Sequence, residues 1–274
     1  MRDNRPLEEN IVRLLLDPHG EVRLQLETVL RQEEGLRDFT KYQGILEAVG
    51  LKRREVGEIA AAIGQEIDYG LRRMIAQLVE LGLLEAERNF EEARNQAIRY
   101  RIADPALRFH FGLVMPNESA IASSDAETVW RERLTEQQFP RYVGKEVFED
   151  VVRQAYLRRR RELDLPPVEE WGRWEGRDRN RRDVEIDLAV RLLDGRVMTG
   201  SAKFRRRAAD ANLLIEHLDA LRRLADSGRA WAHDALQPEA PMLFVSAGGF
   251  KDSFREVAED LGQEVITWAL DELF

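Results

Sequence analysis

The chain has 274 residues, of which 43% are hydrophobic, and a formal net charge of −9. This length can bury one large core or two smaller ones, and we expect two. An acidic chain is not expected to coat nucleic acid nonspecifically, because such binding depends on lysine and arginine neutralising phosphates. The absence of cysteine excludes disulfides and thiolate metal sites.

The sequence also bears on the compartment. No run approaches about 18 consecutive apolar residues, so we expect no membrane span. The charged N-terminus, Met1 to Pro6, lacks the apolar segment and small-residue cleavage site of an export signal. Cytoplasm is therefore the expected location.

Basic residues are nevertheless grouped in three runs, which are Arg158–Arg161, Arg173–Arg182 and Lys203–Arg207. Such runs more often form solvated faces than binding sites. Two of them flank the hairpin described below, so the acidic balance does not exclude a local contact with DNA.

The first 37 residues predict two helices. Apolar residues recur at helical spacing from Leu7 to Leu15, and the segment from Asp17 to Gly20 ends this helix. A second apolar stripe follows from Val22 to Leu30.

Residues 38–104 predict three helices followed by two strands. The third helix begins near Asp68, a favourable N-cap, and ends at Gly82. Strands around 83–86 and 98–102 then enclose a polar loop. This order is that of a winged helix-turn-helix.

The third helix of this segment would enter the major groove of duplex DNA. It leaves Tyr69, Arg72, Arg73 and Gln77 off its buried stripe. Arginine and glutamine can read base edges through paired hydrogen bonds. Winged helices also serve as dimerisation or docking modules, and this alternative carries nearly equal weight.

Residues 105–137 carry few periodic signals and are interpreted as a connector, after which the pattern changes to α/β. The expected elements are a helix over 143–155, strands at 184–192 and 196–203, a helix over 214–224, a strand at 242–245, a helix over 254–261 and a strand at 264–268. These elements predict a domain with a mixed sheet flanked by helices.

The hairpin of residues 184–203 carries the residue types of a metal-dependent nuclease site. Hydrolysis of a phosphodiester with a divalent ion needs converging oxygen ligands and a cation near the phosphate. Asp187 would be the first carboxylate and Lys203 the cation. A second carboxylate is expected at position 201, on the same strand face as Lys203, and the chain has Ser201 there.

Two loop lengths would give this hairpin two registers. A two-residue turn, Asp194-Gly195, sets Asp187 opposite Ala202, on the wrong face for Ser201. A three-residue loop, Leu193–Gly195 with its glycine in the left-handed conformation, pairs Asp187 with Ser201. Both loops are chemically reasonable, so the sequence permits the site without requiring it.

Three further carboxylates are candidates for the site. Glu149 lies at the margin of the apolar stripe of the long helix, where a surface carboxylate is the commoner interpretation. Glu185 shares a strand face with Asp187, and Glu216 lies on the following helix; either could replace the missing carboxylate. Because a serine oxygen is a weaker ligand for a hard dication, we expect the Mg²⁺ or Mn²⁺ site to be weakened or lost.

Other routes to catalysis are poor. The sequence contains no GxxxxGK[ST] or GxGxxG phosphate loop and no GxSxG nucleophile motif. The histidines His19, His110, His217 and His233 lack ligand spacing, and we expect each to be structural or exposed.

Several segments resemble the C-terminal part of the archaeal-type ATPases. They are Pro6–Ile11, Leu30–Glu33, Tyr42–Ala48, Tyr100–Pro105, Arg108-Phe109, Gly144, Phe148-Glu149, Gly172–Trp174 and Glu185–Asp187. Proteins of that family join a P-loop ATPase to a winged helix and then to a domain resembling the PD-(D/E)XK nucleases. The resemblance covers nearly the whole chain.

The resemblance implies catalytic and metal-binding roles for Glu149, Asp187 and Lys203, with Asp187 as a metal ligand. The family pattern has Glu-x-Lys on the second strand, where this chain has Ser201-Ala202-Lys203. The ATPase core is absent, so residues 1–37 are expected to be a helical remnant of its C-terminal region.

The sequence therefore predicts an α+β fold, with a helical N-terminus and a winged helix followed by a PD-(D/E)XK nuclease-like α/β domain. The expected divisions are 1–37, 38–104, 105–137 and 138–274. We expect a protein that binds double-stranded DNA and whose nuclease-like domain is inactive, so that catalysis is not favoured. The alternatives are a Mg²⁺- or Mn²⁺-dependent endonuclease with a relocated carboxylate, and an interaction module that pairs with itself or with a separate ATPase.

Overall fold

A computed structural model describes residues 5–33, 39–92 and 97–274. These residues form two compact units, 5–33 with 39–87 and 97–142, and 88–92 with 143–274. No helix in the described ranges is long and apolar enough to cross a bilayer.

The first unit begins with two helices, as the sequence predicts. They are α1 (Leu7–Ile11), which continues as a π-helical turn over Val12–Leu16, and α2 (Glu21–Gln32). Asp17 holds the turn between them, since its Oδ1 accepts a hydrogen bond from the His19 N–H at 2.7 Å. Gly20 fits tightly before α2, because a Cβ there would lie 2.6 Å from the Leu14 carbonyl oxygen.

Three helices and a small antiparallel sheet follow. They are α3 (Phe39–Val49), β1 (Arg54–Glu55), α4 (Val56–Ile63), α5 (Tyr69–Glu80), β2 (Leu84–Glu87) and β3 (Arg99–Ile102), with strand order β1-β3-β2. Helix α5 begins at its predicted cap, because Asp68 accepts a hydrogen bond from the Leu71 N–H at 2.7 Å.

The apolar side chains of these elements form one core. Its buried members include Ile45, Leu46, Val49, Ile59, Leu71, Ile75, Leu78, Leu84 and Ile102. On α5 the buried residues recur at helical spacing, so Arg72 and Arg73 on the remaining surface are exposed.

Residues 105–137, interpreted from the sequence as a connector, are helical. They contain α6 (Pro105–Phe109), α7 (Glu118–Ser123) and α8 (Ala126–Val129), π-helical turns over His110–Val114 and Trp130–Gln138 and a 3₁₀ turn over Met115–Asn117, and α9 (Phe139–Tyr142) follows. The sequence pattern does not predict these helical pieces, because they are short and change between α, π and 3₁₀ geometry. No 3.6-residue period therefore persists long enough to be recognised.

The second unit is built on a five-stranded mixed sheet. Its strands are β4 (Val168–Arg177), β5 (Asp183–Leu192), β6 (Val197–Lys203), β7 (Met242–Ser246) and β8 (Val265–Trp268), paired in that order. The pairs β4–β5 and β5–β6 are antiparallel, whereas β6–β7 and β7–β8 are parallel. The predicted fold class, α+β with a helical N-terminal part and a mixed sheet, is confirmed.

Helices cover both faces of this sheet. They are α10 (Phe148–Arg159), which follows a π-helical turn over Val143–Val147, α11 (Ala211–Asp226), α12 (Ala230–Asp234) and α13 (Asp252–Asp260), with a 3₁₀ turn over Leu270–Leu273 at the end. Phe148 and Val152 of α10 pack in one core with Leu243. Leu214 of α11 and Phe254 of α13 pack in the other.

Strand β4 is not predicted by the sequence pattern. Its residues are mostly glutamate, glycine, arginine and tryptophan, and bulges shift its register against β5 in two places. Its outer edge is covered, since the Phe90 N–H donates to the Arg173 carbonyl at 2.8 Å and Asn89 hydrogen-bonds both backbone groups of Glu175. Such cover protects an edge strand from pairing with other chains.

Candidate metal centre

The loop between β5 and β6 has three residues, Leu193–Gly195. The Leu192 N–H donates to the Arg196 carbonyl at 2.9 Å, which closes the ladder immediately outside the loop. Gly195 has a φ of +88°, in the left-handed region that a residue at this position of a three-residue loop adopts. Of the two registers that the sequence leaves open, the structure has the one that permits the site.

This register brings Asp187 beside Ser201. Leu188 pairs with Gly200, and continuing the pairing by one residue sets Asp187 opposite Ser201. On its other side, β5 carries a bulge in which Asp187 and Leu188 oppose the single residue Arg173 of β4. Bulges of this kind re-aim side chains and are frequent next to functional sites.

One oxygen of Asp187 receives three hydrogen bonds. Its Oδ2 accepts from Ser201 Oγ at 2.6 Å, from the Ala202 N–H at 3.0 Å and from Lys203 Nζ at 2.7 Å. Burial raises the pKa of Asp187, but the Lys203 charge and these hydrogen bonds outweigh burial and hold the pKa below its ordinary value. Asp187 is therefore ionised at neutral pH, as a metal ligand must be.

Two other carboxylates converge on Asp187. Oxygen atoms of Glu149, Glu185 and Asp187 all lie within 4.8 Å of one another. Glu149 comes from the first turn of α10 and Glu185 from β5. Glu216, the other candidate replacement, lies exposed on α11 outside this group.

Arg173 lies against the same carboxylates and is largely buried. Its guanidinium is 2.5 Å from Glu185 Oε1 through Nη2 and 3.5 Å from Glu149 Oε2 through Nε. Its Nη1 is 3.3 Å from Oε2 of Glu175, which stands outside the group of three. The sequence places Arg173 in a basic run and in a segment of the family resemblance, but it predicts no contact with these carboxylates, because β4 itself is not predicted.

The donor set fits a hard divalent ion. Mg²⁺ and Mn²⁺ favour oxygen ligands, and the three residues of the group offer carboxylates. Arg173 and Lys203 supply two positive charges against these three negative ones, which leaves a net negative charge in the group. Ser201 contributes a hydrogen bond to Asp187 and no charge.

A buried histidine lies on the same sheet face as Ser201 and Lys203. His217 Nε2 is 3.0 Å from Oγ1 of Thr199, two residues before Ser201 on β6. Burial lowers the pKa of His217 to about 4, with the Asp187 charge opposing the shift and the Lys203 charge adding to it. His217 is therefore neutral at neutral pH.

The residues predicted to contact DNA belong to the first unit, on α5. Tyr69 is 80% exposed, and Arg72 and Arg73 are exposed as well. Gln77 differs, because its Oε1 accepts a hydrogen bond from the Tyr42 hydroxyl at 2.7 Å and its side chain is partly buried. The sequence pattern does not reveal this pairing, since Tyr42 lies 35 residues away on α3.

Comparison with solved structures finds distant likenesses, including the following two. A repair endonuclease from Pyrococcus abyssi matches with 13% identity and a TM-score of 0.29 over 44% of this chain and 46% of its own. The protein VC1899 from Vibrio cholerae matches with 15% identity and a TM-score of 0.30 over 99% of this chain and 55% of its own. The chain thus spans about half the length of each structure, and at these TM-scores neither defines its fold or activity.

Comparison with curated proteins finds no match. Residues 110–214 match the model of DUF234, a family of archaeal and bacterial proteins of unknown function. The matched range includes Glu149, Arg173, Glu185, Asp187, Ser201 and Lys203.

Proposed function

We propose that the second unit cleaves phosphodiester bonds in DNA with a divalent ion held by Glu149, Glu185 and Asp187. The convergence of these carboxylates within 4.8 Å carries the proposal. In this scheme Glu185 supplies the carboxylate that Ser201 does not. The site then keeps its ligand number although the second strand lacks the Glu-x-Lys pattern.

Each side chain has a role that follows from its surroundings. Asp187 is a fixed anionic ligand, because burial and three donors hold it ionised in one position. Lys203 is partly exposed, so its ammonium group can face an incoming phosphate while it remains paired with Asp187. Ser201 orients Asp187. A bound Mg²⁺ or Mn²⁺ would polarise the phosphate and lower the pKa of an attacking water.

Nicking of supercoiled plasmid in Mg²⁺ or Mn²⁺ tests the proposal. Wild-type protein is expected to convert plasmid to open-circular and linear forms, and EDTA is expected to stop the reaction. Asp187→Asn and Glu185→Gln should each abolish cleavage, whereas the matched control Glu216→Gln should leave it unchanged. Absence of cleavage by wild type, or cleavage that survives Asp187→Asn, contradicts the proposal.

Binding of duplex DNA without cleavage is the second candidate function. It is favoured by the exposure of Tyr69, Arg72 and Arg73 on a single helix, together with the winged-helix order of the surrounding elements. The neutral Ser201 and the ion pairs of Arg173 would then belong to a site that no longer cuts.

Fluorescence anisotropy in EDTA, titrated against salt, tests this candidate independently of cleavage. Arg72→Ala with Arg73→Ala should weaken binding and reduce the slope of log affinity against log salt by about 2. The double variant Arg131→Ala with Arg133→Ala removes the same charge from exposed positions of the first unit and should have a smaller effect. Undetectable binding at low salt contradicts DNA binding; stable oligomers without DNA affinity would favour the interaction-module alternative.

A further inference from the structure

Arg173 contacts two of the three carboxylates that are proposed to hold the metal. Its guanidinium is 2.5 Å from Glu185 and 3.5 Å from Glu149, and its side chain is only 13% exposed. At the β5 bulge, Arg173 lies opposite Asp187 and Leu188. The guanidinium is therefore fixed against the ligand group by backbone register as well as by its ion pairs.

A guanidinium in this position opposes binding of a divalent ion. Its Nη2 donates a hydrogen bond to Glu185 Oε1, an oxygen that the ion would need as a ligand, and its Nε lies 3.5 Å from Glu149 Oε2. Its positive charge also repels the ion at short range. The Glu149 side chain is 15% exposed and the Glu185 side chain 55%, so salt screens the Arg173–Glu149 pair less than the Arg173–Glu185 pair. Metal binding must therefore displace Arg173 from Glu149 and Glu185, at least in part.

Glu175 offers Arg173 a second position. It lies two residues further along β4, on the same strand face, and its Oε2 is 3.3 Å from Arg173 Nη1. Its carboxylate is not one of the three that converge. The guanidinium can thus leave the ligand group without losing every anionic partner.

We propose that Arg173 is an internal counter-cation that competes with the divalent ion for Glu149 and Glu185, and that Glu175 retains its guanidinium once the ion binds. This inference rests on the proposed metal site. The competition lowers the affinity of the site for Mg²⁺ or Mn²⁺, so the site fills only at a high concentration of the ion. Glu175 then determines how easily the ion replaces the Arg173 guanidinium at Glu149 and Glu185.

Binding of Mn²⁺ to the full chain, followed by calorimetry and by the electron paramagnetic resonance signal of free Mn²⁺, tests the exchange without any substrate. Arg173→Gln is expected to bind Mn²⁺ about tenfold more tightly than wild type, because a competing unit charge is removed. Arg173→Lys keeps the charge and should remain close to wild type. Arg177→Gln removes an exposed arginine of the same strand and should leave the affinity unchanged.

A variant of Glu175 tests the second position of the Arg173 guanidinium. Glu175→Gln removes the alternative partner, holds Arg173 on Glu149 and Glu185, and should weaken Mn²⁺ binding several-fold. Thermal melting of each variant with and without Mn²⁺ verifies folding. The Mn²⁺-induced rise in Tm should be largest for Arg173→Gln, whose carboxylates have lost their cation.

Two failures of the test have different meanings. Equal Mn²⁺ affinity in folded wild type and Arg173→Gln, abolished in both by Asp187→Asn, would overturn the role of Arg173 and leave the metal site standing. Absence of Mn²⁺ binding in both wild type and Arg173→Gln would overturn the metal site and, with it, the competition.

Discussion

The β5–β6 hairpin and helix α5 present charge in opposite ways. In the hairpin, Asp187 is buried and bound to Lys203, Ser201 and the backbone, so its ionisation and position are fixed by the fold. On α5, Arg72 and Arg73 are exposed, and no ion pair of either is seen among the described residues. The charges of the hairpin are therefore held by specific short-range partners, whereas the arginine charges of α5 face solvent.

This difference predicts unequal costs when a cation is removed. Lys203→Met should destabilise the second unit by about 3 kcal/mol, because it leaves a buried carboxylate without its cation. Arg72→Met on α5 should change stability by less than about 0.5 kcal/mol. Urea denaturation followed by tryptophan fluorescence measures both changes.

A matched control lies in the same unit as Lys203. Lys251 pairs with Asp210 at 3.5 Å with both groups partly exposed, so Lys251→Met should cost less than about 1 kcal/mol. Similar costs for Lys203→Met and Lys251→Met would show that the Asp187 network is no more than an ordinary surface pair.

The second unit also contains buried His217, which predicts that stability to unfolding depends on pH. Its folded-state pKa of about 4 lies below the unfolded value of about 6.5, so the unfolded chain binds the proton first. The contribution of His217 to the free energy of unfolding should be fully present above about pH 6.5. It should decrease as the pH falls toward 4, by up to about 3 kcal/mol in total.

His217→Gln removes that titration while keeping a polar partner for Thr199. Urea midpoints measured at pH 7, 5.5 and 4.5 should decline less steeply in the variant than in wild type. Titration of His110, whose pKa burial also lowers, is common to both proteins and does not alter the difference. Parallel declines would contradict the assignment of His217 as a neutral buried group.

The smallest expected effect concerns Gln77. Tyr42→Phe removes the hydrogen bond that Gln77 Oε1 accepts and should cost about 1 kcal/mol in urea denaturation. DNA affinity should stay the same, because the side chain of Gln77 serves the fold of the first unit. A loss of DNA affinity in Tyr42→Phe, with the protein folded, would return Gln77 to the binding surface.

The parts of the fold that follow from local pattern are predicted from the sequence. The stripe on α5, its Asp68 cap and the β5–β6 hairpin depend on neighbouring residues, and the structure contains each of them. The sequence leaves the loop length open, because Asp194-Gly195 and Leu193–Gly195 both form acceptable turns. The structure has the three-residue loop, with Gly195 in the left-handed region.

The candidate site shows the same limit. The strand face of Glu185 predicts a replacement carboxylate there, and Glu185 lies in the group, whereas Glu216 does not. The sequence does not predict Arg173 beside these carboxylates, because its position depends on β4, an edge strand without a clear apolar alternation, and on a bulge in β5. Its pairing with Glu149 and Glu185 joins three distant parts of the chain.

The central claim is that Glu149, Glu185 and Asp187 hold one divalent ion. A crystal structure of the full chain grown with Mn²⁺, with data collected at the manganese absorption edge, tests it most directly. We expect one anomalous peak within ligand distance of all three carboxylates, with the Arg173 guanidinium shifted toward Glu175. An ordered site without such a peak at millimolar Mn²⁺, with Arg173 still on Glu149 and Glu185, would contradict it.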